Sequence, residues 1–419
     1  MVLTLDALLA DEKLRQREFP VIKDSLFLAH AGVTILPRRV ARTMQDYLEQ
    51  SCLHMQEYPE AWRAVNETRI VAANLIGAKA SEIALIGPTS VGLSLVANGL
   101  PWQVGDEVVS YLDDYPANVY PWSDLERHGV VLKHLKPAAP GEITPELVEA
   151  ALTPKTKLVA LASCHFQSGY RIEIDRIGRL LRERGVLFCL DAIQTVGAFE
   201  TRVDHVDFLS ADSHKWMLGP MSAGIFYVRE ELQDMLRPSL LGSWNVRSPN
   251  FIAQEEIAFE RGGRRYEPGA LNISGILGMK AGIELIQEVG LEAISAQLLK
   301  LKARLHAGLA PQGFAFLGPD PKSVNASGIT TVQHASHSLE AIAKHLTENN
   351  IATSLRHNRA GQPLLRFSPH FYNTEAEMDR VAQVIGEITA SASIQTSLDQ
   401  VASGQTVPAQ VVHQQLRKS

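Results

Sequence analysis

The chain is poor in cysteine. Cys52, Cys164 and Cys189 are the three among its 419 residues, and their spacing is neither paired nor of the metal-binding kind. That excludes a disulfide framework and a cysteine-based metal site, and a reducing cytoplasm is the expected setting. Basic excess is missing too. The net charge is −6, so there is no electrostatic footprint for nucleic acid. No apolar run reaches the roughly 18 residues that a membrane span needs, and no membrane partner is expected. The opening M-V-L-T-L-D-A-L-L-A-D-E-K lacks the charged n-region and small-residue cleavage site of a signal peptide. It reads as a short amphipathic helix.

What is present is ample apolar content, 45% of the residues against 21% charged, enough for a large core and two or three domains. The most informative stretch is Val186 to Gly224. Val186 to Leu190 is a short apolar run that suits a strand buried on both faces of a parallel sheet. It ends in Asp191, at the strand end where open α/β sheets place ligands. Phe208 to Ala211 is a second such strand, leading into Asp212, Ser213, His214 and Lys215. An acid and an amine thus close two successive strands. Taken alone, Asp191 could cap a helix and Lys215 could sit in solvent. Taken together they suit a pyridoxal phosphate (PLP) site, where a lysine forms a Schiff base and a carboxylate keeps the pyridine nitrogen protonated.

Three segments carry a resemblance: D-A-I-Q at 191–194, S-H-K-W-M-L-G-P at 213–220, and R-F-S-P-H-F-Y-N-T at 366–374. The chain resembles the class V aminotransferase family of fold type I PLP enzymes over about Phe27 to Ile385. Cysteine desulfurases, selenocysteine lyases and isopenicillin-N epimerase-like proteins are among its branches. The resemblance implies an α/β architecture. A large domain at 41–285 holds a mostly parallel seven-stranded sheet flanked by helices, and a smaller α+β domain follows at 286–392. An N-terminal segment, 1–40, packs on the small domain, and 393–419 forms a mobile tail.

The same resemblance assigns residues. Lys215 is the Schiff-base lysine, Asp191 the partner of the pyridine nitrogen, and Gln194 a donor to the cofactor phenolate. Gly87 to Gly92 turns a strand into a helix, the geometry of an anion site. Thr89 or Ser90 could simply be an N-cap, but the resemblance gives Thr89, Ser90 and the Val91 N–H to the phosphate. His214 is expected at the phosphate as well. Asp212 departs from the family, which commonly has a phosphate-binding serine there. A carboxylate against a phosphate dianion is repelled, so Asp212 must point away or pair with a base. Tyr115 falls where a histidine usually stacks on the cofactor ring; it supplies a flat face but not an imidazole's acid–base chemistry. Gln167 is expected near the phenolic oxygen. Ala270 replaces a phosphate-binding threonine in R-R-Y-E-P-G-A-L-N, where its N–H and the Asn272 side chain could still contribute. That segment implies a homodimer with shared active sites. Ala29 to Val33, with His30 at the usual asparagine, is expected to line the substrate side. Arg366 is expected to clamp the substrate α-carboxylate through its planar fork.

The implied reaction uses a small amino acid, an external aldimine and removal of the α-proton by Lys215. Desulfurases of this branch carry a thiol nucleophile on the loop before the arginine strand. Here that segment, S-L-R-H-N-R-A-G-Q-P-L-L-R, has no cysteine. Elimination of a C–S bond without a loop cysteine is therefore the leading expectation. Transamination is the alternative and epimerisation the third. A degenerate, purely binding protein is disfavoured by the intact Lys215, Asp191, Gln194 and Arg366. Arg356 and Arg359 lie in the same loop, either reading a distal anion or facing solvent.

Overall fold

A computed structural model describes residues 3–402, and the side chains of residues 3–390. In chain order the strands are β1 (Leu26–Phe27), β2 (Ile83–Ile86), β3 (Glu107–Ser110), β4 (Val131–His134), β5 (Thr156–Ala162), β6 (Leu187–Asp191), β7 (Phe208–Asp212), β8 (Gly224–Val228), β9 (Ala315–Leu317), β10 (Thr330–Gln333), β11 (Ile351–Ala352), β12 (Ser354–His357) and β13 (Pro363–Phe367).

Seven of them form one sheet in the order β2–β8–β7–β6–β5–β3–β4. Only β8 runs against the rest, pairing antiparallel with both β2 and β7. This is the mostly parallel seven-stranded sheet that the resemblance implied. Its central strands are apolar runs because both faces are covered. Every residue of β7 and β8 is buried. One face packs Val159, Leu161, Leu190 and Leu209 under the helices Pro59–Ile76 and Ile273–Val289. The other packs Phe208, Phe226 and Val108 with the helix Thr89–Gly99. That helix lies close to β7: a Cβ on Gly92 would stand 2.4 Å from Ser210 Oγ.

The helix Ile273–Val289 ends at Gly290, whose φ of 93° favours glycine. Beyond it the helix Leu291–Leu309 packs against the helix Glu375–Ala402. The helix Ile273–Val289 runs through residue 285, where the resemblance put the boundary. The second domain carries a four-stranded antiparallel sheet, β12–β13–β10–β9, over a core of Leu301, Leu305, Val332, Leu365, Phe367 and Val381. The N-terminal segment joins it through β1, parallel to β11, and through Arg15, which bonds Glu377 and the Tyr372 carbonyl. The last helix continues past residue 393, where the sequence suggested a tail; residues 403–419 lie outside the described residues. Among the described residues no helix is long and apolar enough to cross a membrane.

Candidate active site

The loops that follow β2, β3, β5, β6 and β7 leave the same edge of the sheet, the carboxyl edge where such folds gather their ligands. Between them and the second domain lies a cavity of about 400 Å³. Of the residues singled out in the sequence, it brings together Thr89, Ser90, Tyr115, Asp191, Gln194, His214, Lys215 and Arg366.

Lys215 is buried. Burial pushes its amine down to about 8; Asp191 pulls it up, while Arg366 and Arg356 push it further down. Its Nζ stands 5.3 Å from the centre of the Tyr115 ring. Asp191 is fixed by the Ile193 N–H, 3.1 Å from Oδ1. Burial raises its carboxyl, and that N–H and Lys215 partly offset the rise. Gln194 is held at both ends: Nε2 donates to the Ala31 carbonyl at 3.0 Å, and Oε1 accepts from Trp216 Nε1 at 2.8 Å. The helix Thr89–Gly99 follows Pro88 with no side-chain cap on its first N–H groups, and its first two residues, Thr89 and Ser90, stand at the cavity wall.

Arg366 is 1% exposed. Its Nη1 donates to the Phe166 carbonyl at 2.6 Å, while Nε and Nη2 are buried without a partner. Burial and the nearby Arg356 push the guanidinium down to about 9. Such a group is a cation lacking its anion. Arg356 also lines the cavity, whereas Arg359 turns away to Asp113 and the Leu112 carbonyl.

Five of the residues assigned to the cofactor or the substrate are not in this cavity. His30 is fully buried behind the wall: Nδ1 bonds the Ser368 carbonyl at 3.1 Å and Nε2 meets Tyr372 Oη at 3.3 Å. Its neighbours Ala29, Ala31, Gly32 and Val33 line the cavity instead: the chain turns here, with the Gly32 N–H on the Ala29 carbonyl at 2.9 Å, and the His30 ring is left on the inner side. Gln167 donates to the His357 carbonyl at 2.8 Å and ties the domains together; Phe166 takes the cavity position. The Val91 N–H donates to the Pro88 carbonyl at 2.8 Å. Val91, Ala270 and Asn272 line a second cavity of about 370 Å³ with Gly87 and Ser222. Asn272 caps the helix Ile273–Val289 through the Gly275 N–H.

Asp114, directly before Tyr115, was not singled out in the sequence. The carboxyl is buried beside Asp191, and burial first, then Asp191's charge, push it up to about 7. It accepts from the Tyr115 N–H and from Asn118 Nδ2. An acid directly before the aromatic in the loop after β3 was the available signal. Among the described residues lining the main cavity there is no cysteine; Cys164 and Cys189 are buried elsewhere and Cys52 is exposed.

The family model for aminotransferase class-V matches residues 26–381. A probable cysteine desulfurase of Methanothermobacter thermautotrophicus is 28% identical over 393 residues, covering 89% of this chain and 97% of its own. The structure of a cysteine desulfurase from Thermococcus onnurineus NA1 superposes with a TM-score of 0.84 at 25% identity, over 91% of this chain and 98% of its own. The cystine C–S lyase C-DES, solved with its product cysteine persulfide, shares the fold with a TM-score of 0.79 at 19% identity, over 88% of this chain and 99% of its own.

Proposed function

Because the chain belongs to the aminotransferase class-V family, we propose that it is a PLP enzyme that eliminates a sulfur group from a small cysteine-type amino acid without a thiol of its own. The observation that carries this is the meeting of Lys215, Asp191 and the partnerless Nε and Nη2 of Arg366 around one cavity. The residues present fit the cofactor. Lys215 would hold its aldehyde carbon, Asp191 its ring nitrogen and Tyr115 its flat face. Thr89, Ser90 and His214 would hold its phosphate.

The bound cofactor supplies an electron sink for the bond broken at the substrate's Cα. The protein's residues do the rest. Arg366 receives the α-carboxylate on its free edge, a charge-assisted and orienting contact. Lys215, with its amine near 8, is part neutral at physiological pH and takes the α-proton onto Nζ. It then carries a proton for the departing sulfur, which leaves with the electron pair of the Cβ–S bond. Arg356 adds a second cation to the same cavity. That suits a substrate with two anionic groups, such as cystine or cysteine sulfinate. The names of the relatives, desulfurases and a C–S lyase, support sulfur chemistry. The reading includes a homodimer in a cytoplasmic setting. Ala270 and Asn272 stand exposed beside a cavity with Leu240 in its wall, and Leu240, Leu241 and Met221 are large apolar side chains left in solvent.

The test is spectroscopic. The PLP-loaded protein is given cysteine, cystine, cysteine sulfinate, alanine or aspartate with no acceptor keto acid. Pyruvate over many turnovers, with the original absorbance restored, is the expected result. A single equivalent of keto acid with conversion to pyridoxamine phosphate would instead make the protein a transaminase.

A further inference from the structure

Asp212 closes β7 with a side chain only 1% exposed. Its Oδ1 accepts from the Ser213 N–H at 2.7 Å, and Oδ2 from the Ser222 N–H at 3.2 Å. Oδ2 also lies 2.9 Å from His214 Nδ1, at ion-pair distance but out of line for a hydrogen bond. Asp212's own N–H donates to Thr89 Oγ1 at 2.9 Å. The residue therefore touches two groups of the cavity wall that face a phosphate in the reading above, Thr89 and His214.

The chemistry of these contacts is specific. A carboxylate placed against a phosphate dianion is repelled, and the more so away from water. An imidazolium between the two attracts both. With Nδ1 facing the Asp212 carboxylate, His214 has Nε2 as its remaining polar atom. That nitrogen can donate to an anion only if the ring carries both protons. The Thr89 oxygen accepts from the Asp212 N–H and keeps its hydroxyl proton for a second acceptor. The other charged groups lining this cavity are Lys215, Asp191, Arg356 and Arg366.

We propose that Asp212 is a positioning residue for the phosphate monoester of the cofactor, acting through His214. Asp212 faces Nδ1 as an ion-pair partner, and His214, as imidazolium, donates Nε2–H to the phosphate. The carboxylate thus replaces a direct hydroxyl contact by a relayed, charged one. The proposal rests on the PLP reading of the preceding subsection. A competing role is also available to the carboxylate. Through Ser213 and Ser222 it braces the loop in which Leu218 and Ser222 have φ of 56° and 58°.

Affinities of the apo protein for PLP and for pyridoxal, which lacks the phosphate, separate the two roles. They are measured at pH 8 for the unaltered protein, Asp212→Asn, His214→Gln and the double variant. Losing one charge-assisted contact, Asp212→Asn weakens PLP about tenfold. Pyridoxal changes by less than about twofold, and the substitution adds almost nothing once His214 is Gln. Three results would overturn the proposal: an unchanged PLP affinity, an equal loss for PLP and pyridoxal, or the same loss in the His214→Gln background. If Asp212→Asn does not fold, nitrogen-15 spectra of the PLP-loaded, histidine-labelled protein decide. The resonance that His214→Gln removes should show both ring nitrogens protonated at pH 8, and a neutral ring would sink the idea. Failure of the unaltered protein to take up either PLP or pyridoxal on Lys215 would instead remove the cofactor reading, and this proposal with it.

Discussion

Arg356 and Arg366 turn their Nη2 atoms toward the same face of Gly32. A Cβ built there would lie 3.3 Å from the first and 3.6 Å from the second. Two cations held that close with no carboxylate between them mark the place of an anion. Gly32 leaves that place open by having no side chain.

Gly32→Ala puts a methyl group into the gap. The expected result is a rise in KM of about tenfold or more, from losing one charge-assisted carboxylate contact. PLP binding and its absorbance should be unchanged. Steady-state kinetics beside a PLP titration check this, and an unchanged KM would place the substrate carboxylate elsewhere.

The two arginines should separate by substrate. Arg366→Lys keeps the charge but loses the planar fork, so kcat/KM falls for every amino acid tried, by about 100-fold at the upper end for such contacts. Arg356→Gln should cost about tenfold with cystine or cysteine sulfinate and little with a substrate bearing one carboxylate. Equal losses across the panel would make Arg356 a part of the α-carboxylate clamp instead.

Lys215 sets a pH dependence. Its amine is lowered to about 8, chiefly by burial, so the neutral, reactive form grows as pH rises through that value. Capture of PLP by the apo protein should accelerate from pH 7 to about 9 and then level off, and Lys215→Ala should abolish the absorbance band of the linked cofactor. The sign for stability follows from the same shift. The unfolded amine keeps its proton up to about 10.4. Between about 8 and that value the unfolded chain binds more protons, and this group's contribution to apo stability rises with pH. Stopped-flow absorbance and urea titrations at several pH values report the two effects.

The segment before Ala270 hangs on a buried ion pair. Glu267 accepts from Arg69 Nη2 at 2.8 Å, from Nη1, and from the Leu85 N–H at 2.7 Å. Glu267→Ala leaves a buried guanidinium without its partner, and a loss of about 3–5 kcal/mol is expected in urea unfolding. A loss below about 1 kcal/mol would mean that water replaces the carboxylate there.

Much of this was legible in the chain because strand chemistry is local. A buried parallel strand must be an apolar run, and the polar residue that ends it must emerge at the sheet's carboxyl edge. Asp191 and Lys215 could therefore be placed at one edge from Leu187–Asp191 and Phe208–Asp212 alone. His30 could not be placed, because whether it or Ala31 faces the cavity depends on a turn fixed by Ser368 and Tyr372, more than 300 residues away. Gln167 went astray for a related reason. Its amide finds the His357 carbonyl of the other domain, a contact that no local pattern encodes.

The sequence by itself determined the alternation of buried strands and covering helices, the acid and the amine at two strand ends, and the lack of a cysteine on the arginine loop. These depend on residue type and short spacing. Tertiary structure alone decided which loop residues converge. It set Arg356 beside Arg366 while Arg359 went to Asp113, closed Asp212 onto His214, and buried Asp114 next to Asp191. The energies of those relations depend on distance and on exclusion of water, which exist only once the domains have packed.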